Sequence, residues 1–156
     1  AGPPAGPSVG PPAGTAAATP NAAGPAGAPA LRVRALGPLA LERGGVAAPA
    51  AELPAGKGRE LLLALVAHPD GRTKDQLGLA LWPDASAAQV RSNFHFTLHH
   101  LRRALAGPRG AGAPEAVVFA DGRYRLAPAV ASDVADLRAA AARLRRAESA
   151  REPLDA

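Results

Sequence analysis

Two helix starts separated by a single proline constrain this chain more than any other feature. Thr73-Lys74-Asp75-Gln76 and Ser86-Ala87-Ala88-Gln89 each place a hydroxyl three residues ahead of a glutamine amide. In that pattern the hydroxyl accepts from the backbone N–H three residues on, and the amide reaches back to the first N–H. Two orphan donors are satisfied at each helix end. Pro83 lies between the two starts, and without an N–H it ends the first helix. The spacing therefore predicts a short helix, the turn Pro83-Asp84-Ala85, and a long helix from Ser86 to about Ala106, where Gly107-Pro108 stops it. Along the long helix Val90, Phe94, Leu98, Leu101 and Leu105 recur at 4, 4, 3 and 4 residues, one stripe for a core. Two capped helices joined by a short turn make a helix-turn-helix candidate.

The flanking segments supply the rest of a domain. Leu31–Leu36 and Leu39–Arg43 alternate apolar and polar residues, Gly44-Gly45 reads as a tight turn, and Val46–Ala48 returns. This is a small antiparallel meander. A first helix is expected from about Lys57 to Ala67, stopped by His68-Pro69-Asp70-Gly71. After a Gly/Pro/Ala loop over 107–115, Asp121-Gly122 joins Val117–Ala120 to Arg123–Leu126 as a hairpin. The expected fold is α+β over residues 31–128: a winged helix-turn-helix with an N-terminal antiparallel sheet, three helices and a C-terminal β-hairpin wing. Leu61, Leu65, Leu77, Leu81, Phe94, Leu98 and Leu101 should share one core. Trp82 should plug it beneath the turn. Residues 129–156 are expected to be a linker and a helix, Ser132 to about Ser149, with a narrow apolar edge of Val134, Leu137, Ala141 and Leu144.

Residues 1–30 bound the size of the problem. Ala, Pro and Gly fill 25 of these 30 positions, and there is no charge and no aromatic. Such a segment cannot bury enough apolar surface to fold and reads as an extended, disordered linker. With about 126 residues left, a barrel or a large catalytic α/β domain does not fit. The absence of cysteine excludes disulfides, zinc ribbons and thiol nucleophiles. The longest apolar run, Leu61–Ala67, is seven residues, far short of a membrane span. The first residue is not Met and no basic flank or apolar signal follows, so the chain is expected to be a piece of a longer, cytoplasmic protein.

Charge gives the first hint of function. Sixteen Arg and two Lys face thirteen acids, net +5. Residues 31–130 hold 13 basic and 8 acidic side chains, so the whole excess lies there. A compact basic domain fits a polyanionic partner. The long helix is the most biased element: Ser86–Ala106 contains three Arg, three His and no acid. A merely solvated face normally mixes both signs. Outside the apolar stripe lie Arg91, Ser92, Asn93, His95, His99, His100, Arg102 and Arg103. Together with the wing's Arg123 these are the candidate DNA-binding residues. Arg102 and Arg103 also sit where cations complement the helix dipole. His95 and His99 are i, i+4, yet nothing nearby offers a third ligand, so no metal and no cofactor is expected. His68 is read as a dipole partner at the end of the first helix. Gly56-Lys57-Gly58 lacks the spacing and the Ser/Thr of a phosphate loop, and no catalytic order of Ser, His and Asp or paired carboxylate appears. No enzyme is expected.

Taken together, LRVRALGP (31–38), ELLLALVAH (60–68) followed by GRTKDQLGLALWPD (71–84), SNFHFTLHHLRRAL (92–105) and DGRYRL (121–126) resemble the DNA-binding domain of SARP-type bacterial transcriptional activators. Those are winged helices related to the OmpR class and followed by a helical bacterial transcriptional activator (BTAD) domain. The resemblance covers about residues 31–128, and Ser132–Ser149 is similar to the first helix of the following domain. It implies a four-stranded N-terminal sheet and DNA contacts from the third helix and the wing. The implied partners are double-stranded DNA, often as direct repeats, RNA polymerase, and other domains of the same full-length protein. The family wing usually reads Gly-Tyr-Arg-Leu, where this chain has Gly122-Arg123-Tyr124-Arg125-Leu126. His99 and His100 stand where the family often carries Arg.

The leading functional expectation is sequence-specific binding of double-stranded DNA as the output domain of a bacterial transcriptional regulator. The long helix would enter the major groove and the wing would reach the adjacent backbone or minor groove. The other reading is a winged-helix protein-interaction module within a signalling ATPase that does not bind DNA. The two part on whether the outer face of Ser86–Ala106 is open and positive or is covered by Ser132–Ser149.

Overall fold

The computed structural model describes residues 29–108, 110 and 115–151. The linker expected over 1–30 lies outside these residues apart from its last two positions, as does most of the loop expected at 107–115.

Three strands come first: β1 (Leu31–Arg34), β2 (Ala40–Arg43) and β3 (Val46–Ala47). They form the expected meander, with Val33 opposite Leu41 and Gly44 and Gly45 turning the chain at positive φ. Leu31, Val33, Leu39 and Leu41 are buried beneath it. A short 3-10 turn (Ala50–Glu52) leads to three helices: α1 (Gly56–Ala67), α2 (Lys74–Leu81) and α3 (Ala87–Ala106). Both expected capping boxes are formed. Gln76 N–H donates to Thr73 Oγ1 at 3.2 Å and Gln89 N–H to Ser86 Oγ at 3.3 Å, with both amides returning the bond. The α3 helix ends at Gly107, whose φ of +74° suits a residue without Cβ. At the end of α1, His68 holds the Ala64 carbonyl through Nδ1 at 2.8 Å.

The core is one cluster. Leu61, Leu62 and Leu65 of α1, Leu77 and Leu81 of α2, and Phe94, Leu98, Leu101 and Leu105 of α3 meet the strand residues there. Trp82 packs on it half-buried. The α3 stripe is offset slightly from expectation. Thr97 is buried, while Val90 is only half-buried because it lies over Gly78 of α2 rather than in the core.

A hairpin follows, β4 (Val117–Ala120) with β5 (Arg123–Leu126), turned by Asp121 at φ +52° and Gly122 at φ +73°. Two positive φ values are what a two-residue hairpin turn of type I′ requires. The hairpin is docked on its neighbours. Tyr124 and Arg72 exchange backbone hydrogen bonds at 2.8 and 3.0 Å. Gly71 allows that approach, since a Cβ there would lie 3.0 Å from Arg123 Cβ and from the Tyr124 carbonyl.

Val130 and Ala131, expected to be connecting chain, and Ser132, expected to open the last helix, form a strand. β6 (Val130–Ser132) pairs in parallel with β1, so the sheet order is β3-β2-β1-β6 and the sheet is mixed rather than purely antiparallel. The strand is three residues long, too short to show a periodicity, and it forms because β1 has an open edge. Ser132 Oγ then accepts from the Ala135 N–H at 3.1 Å and α4 (Asp133–Arg151) begins at once.

The start of α4 is fastened to the domain. The Asp133 carboxylate accepts from the Ala35 N–H at 2.9 Å and the Leu36 N–H at 3.0 Å. This ends β1 at Arg34, short of the Leu36 that alternation alone suggested. Burial pushes the Asp133 carboxyl up, but the N–H donors of Leu36, Ala35 and Val134, with Arg34 nearby, outweigh it and hold the group below the usual carboxylate range. Arg32 pairs with Asp136 at 2.8 Å, and Arg138 donates to the Ala67 carbonyl at 2.8 Å. Val134 reaches the core, while Leu137 and Leu144 of the expected apolar edge are exposed. No helix among the described residues is long and apolar enough to cross a membrane.

Candidate nucleic-acid interface

The α3 helix owes its orientation to both flanks. Phe94 is fully buried and meets the Tyr124 ring edge-on at 4.9 Å, joining α3 to β5. Arg102 Nη2 donates to the Val117 carbonyl at 3.0 Å and pairs with Glu115 at 2.7 Å, joining α3 to the start of β4. At the far end Arg43 Nη2 donates to the Ala104 carbonyl at 2.6 Å and Nε to the Leu105 carbonyl at 3.3 Å. Arg43 also pairs with Glu52, so the sheet holds the last carbonyls of the helix. What remains of α3 faces outward.

That outward surface carries most of the candidates. Arg91, Ser92, Asn93, His95, His99, His100 and Arg103 are all exposed, and so is Arg123 next to the hairpin turn. At about 100° per residue, Ser92, Phe96, His99 and Arg103 form the central row. Arg91 and His95 lie on one flank, Asn93 and His100 on the other. Arg102 differs from the rest. It is half-buried, and its guanidinium is occupied with β4 and Glu115 rather than directed outward with the row.

Among the described residues the row is uncovered and free of acid. Ala87–Ala106 includes no Asp or Glu, and α4 packs on β6, β1 and α1, the side of the sheet and the first helix. The body of the hairpin stands alongside α3 through the Phe94–Tyr124 and Arg102–Val117 contacts. Arg72, which the sequence reading passed over, lies beside Arg123 through its backbone bridge to Tyr124. Among the described residues no group of three His, Asp or Glu side chains is disposed to hold a metal.

Phe96 was also missed. It is 68% exposed, in the middle of the central row, and its ring lies 4.3 Å from that of His100. The signal was available: Phe96 is two residues from both Phe94 and Leu98, so a helix that buries those two must turn Phe96 to the opposite side.

No family model matches the chain, and no curated protein matches it. Among solved structures the chain is similar to Mycobacterium tuberculosis EmbR in complex with a low-affinity phosphopeptide, at 25% identity and a TM-score of 0.47. The match covers 63% of this chain and 25% of that one, so the chain spans about a quarter of the length of that protein. A likeness this slight assigns no function.

Proposed function

We propose that this chain is the sequence-specific DNA-binding part of a bacterial transcriptional regulator, acting where the DNA is, in the cytoplasm. The observation that carries the reading is the outward face of α3: a long, acid-free helix, open to solvent, held beside a basic hairpin by contacts on its inner side. A surface without carboxylates is what a helix approaching phosphates requires. The resemblance of residues 31–128 to SARP-type activators supports the same assignment. In it α3 enters the major groove and the hairpin tip meets the neighbouring backbone or minor groove.

Roles divide by position. Among the described residues Arg91, Arg103 and Arg123 are exposed cations without an ion pair, able to meet phosphates. Arg102, proposed from the sequence as a DNA contact, instead holds the hairpin to α3 through the Val117 carbonyl and Glu115. Ser92, His95, His99 and His100 offer single-point donors or acceptors to base edges, and the Asn93 amide offers a donor and an acceptor together. With about three phosphates neutralised, affinity should fall with salt at a log–log slope near −3.

The test is selection of bound fragments from random DNA, followed by salt titration on the selected duplex. Arg123→Ala should weaken binding to selected and scrambled duplexes alike. His95→Ala should chiefly reduce the difference between them, by about 1 kcal/mol for a single-point contact. The competing reading, a winged helix that docks protein partners, draws on the exposed Leu79, Phe96 and Phe119. Failure to enrich any duplex, or binding indifferent to salt, would favour it.

A further inference from the structure

Resting on the DNA-binding reading above, we propose that Phe96 is a base-reading side chain, packing its ring against the 5-methyl group of a thymine in the major groove. The domain has three Phe in all. Phe94 is fully buried and the Phe119 ring leans on Tyr124 at 4.6 Å. Phe96 is the most exposed of the three and has only the His100 ring, 4.3 Å away, as an aromatic neighbour. Leaving a Phe in water forgoes the free energy that burial would supply. Its position is the centre of the outward row, with Ser92 one turn before it and His99 and Arg103 after it. These flanking groups are polar, and Phe has no donor or acceptor with which to meet a phosphate. Among base edges in the major groove, the feature that matches an apolar ring is the thymine methyl. The His100 ring on one side limits where the Phe96 ring can swing, so its orientation is partly set before DNA arrives.

The experiment uses the full chain and the duplex enriched from random DNA, with deoxyuridine replacing each thymidine in turn. The replacement removes one methyl group and leaves base pairing and hydrogen-bonding edges in place. At one position, binding by the native chain should weaken about fourfold, the equivalent of one buried methyl group. Phe96→Ala should bind the thymidine and deoxyuridine duplexes equally, with the native salt slope, and Phe96→Leu should recover part of the discrimination. Circular dichroism of both variants should match the native chain, because the side chain is exposed. If the native chain binds the selected duplex but no single replacement matters, or if Phe96→Ala still distinguishes the two duplexes, this assignment is overturned and the DNA-binding reading stands. If no duplex is enriched at all, both are overturned.

Discussion

Replacing Gly78 by alanine sets two effects against each other. Gly78 is buried in the middle of α2, and a Cβ built on it would lie 2.3 Å from Val90 Cγ1 on α3. Helix propensity alone would make Gly→Ala favourable by about 1 kcal/mol. A 2.3 Å approach is far inside carbon–carbon contact, so either Val90 leaves its rotamer or the helices part. Valine in a helix strongly prefers one χ1 well, so the first escape is restricted, and overfilling a packed site costs about 1–3 kcal/mol. The packing cost should win, and Gly78→Ala should lower stability by up to about 2 kcal/mol once the propensity gain is subtracted. The decisive comparison is the double variant. In a Val90→Ala background the obstructing methyl is gone, and adding Gly78→Ala should raise stability by about 1 kcal/mol, the propensity gain alone. The assay is urea unfolding of the four proteins of that cycle, which should give a coupling of about 1–3 kcal/mol. If Gly78→Ala stabilises the native chain as much as it stabilises the Val90→Ala chain, α2 and α3 do not approach as closely as Gly78 permits, and the helix-turn-helix geometry argued from it is wrong.

Phe94→Ala removes a fully buried ring that also meets Tyr124 edge-on, and should cost about 3–5 kcal/mol in the same unfolding assay; a loss below about 1 kcal/mol would mean that the phase of α3 is misassigned. Asp133 has a folded-state pKa below its unfolded value, so its contribution is present above the unfolded value of about 3.9 and is lost as pH falls through the folded one. Asp133→Asn should therefore cost about 1 kcal/mol at neutral pH, and the gap to the native chain should close on acidification; a gap unchanged at about pH 2 would show that the carboxylate is not what holds Ala35 and Leu36.

Local chemistry made much of this protein legible without a fold. The two capping boxes, the Pro83 stop, the Asp121-Gly122 turn and the Leu-rich stripe of α3 depend on neighbours within about four residues, so their types and spacing were enough. The candidate face was legible for the same reason, since the missing acids and the clustered Arg and His of α3 are properties of one helix. Phe96 belongs with these features, because helical phase alone turns it outward.

Other features were decided only when distant parts met. Nothing in Val130-Ala131-Ser132 marks a strand; the open edge of β1, about a hundred residues earlier, makes it one. Arg102 sits in the last turns of its helix, where the sequence pointed to a phosphate contact, yet the Val117 carbonyl and Glu115 draw it to the hairpin. Val90 belongs to the apolar stripe by spacing but ends over Gly78, because the crossing of α2 and α3 brings a residue without a side chain beneath it. The sequence by itself determined which segments are helix, turn and hairpin and which helix carries the basic face, since those follow from short-range hydrogen bonding and periodicity. The tertiary structure alone decided which edge β6 closes, where α4 is fastened and which cations stay free, since each depends on partners that no local pattern encodes.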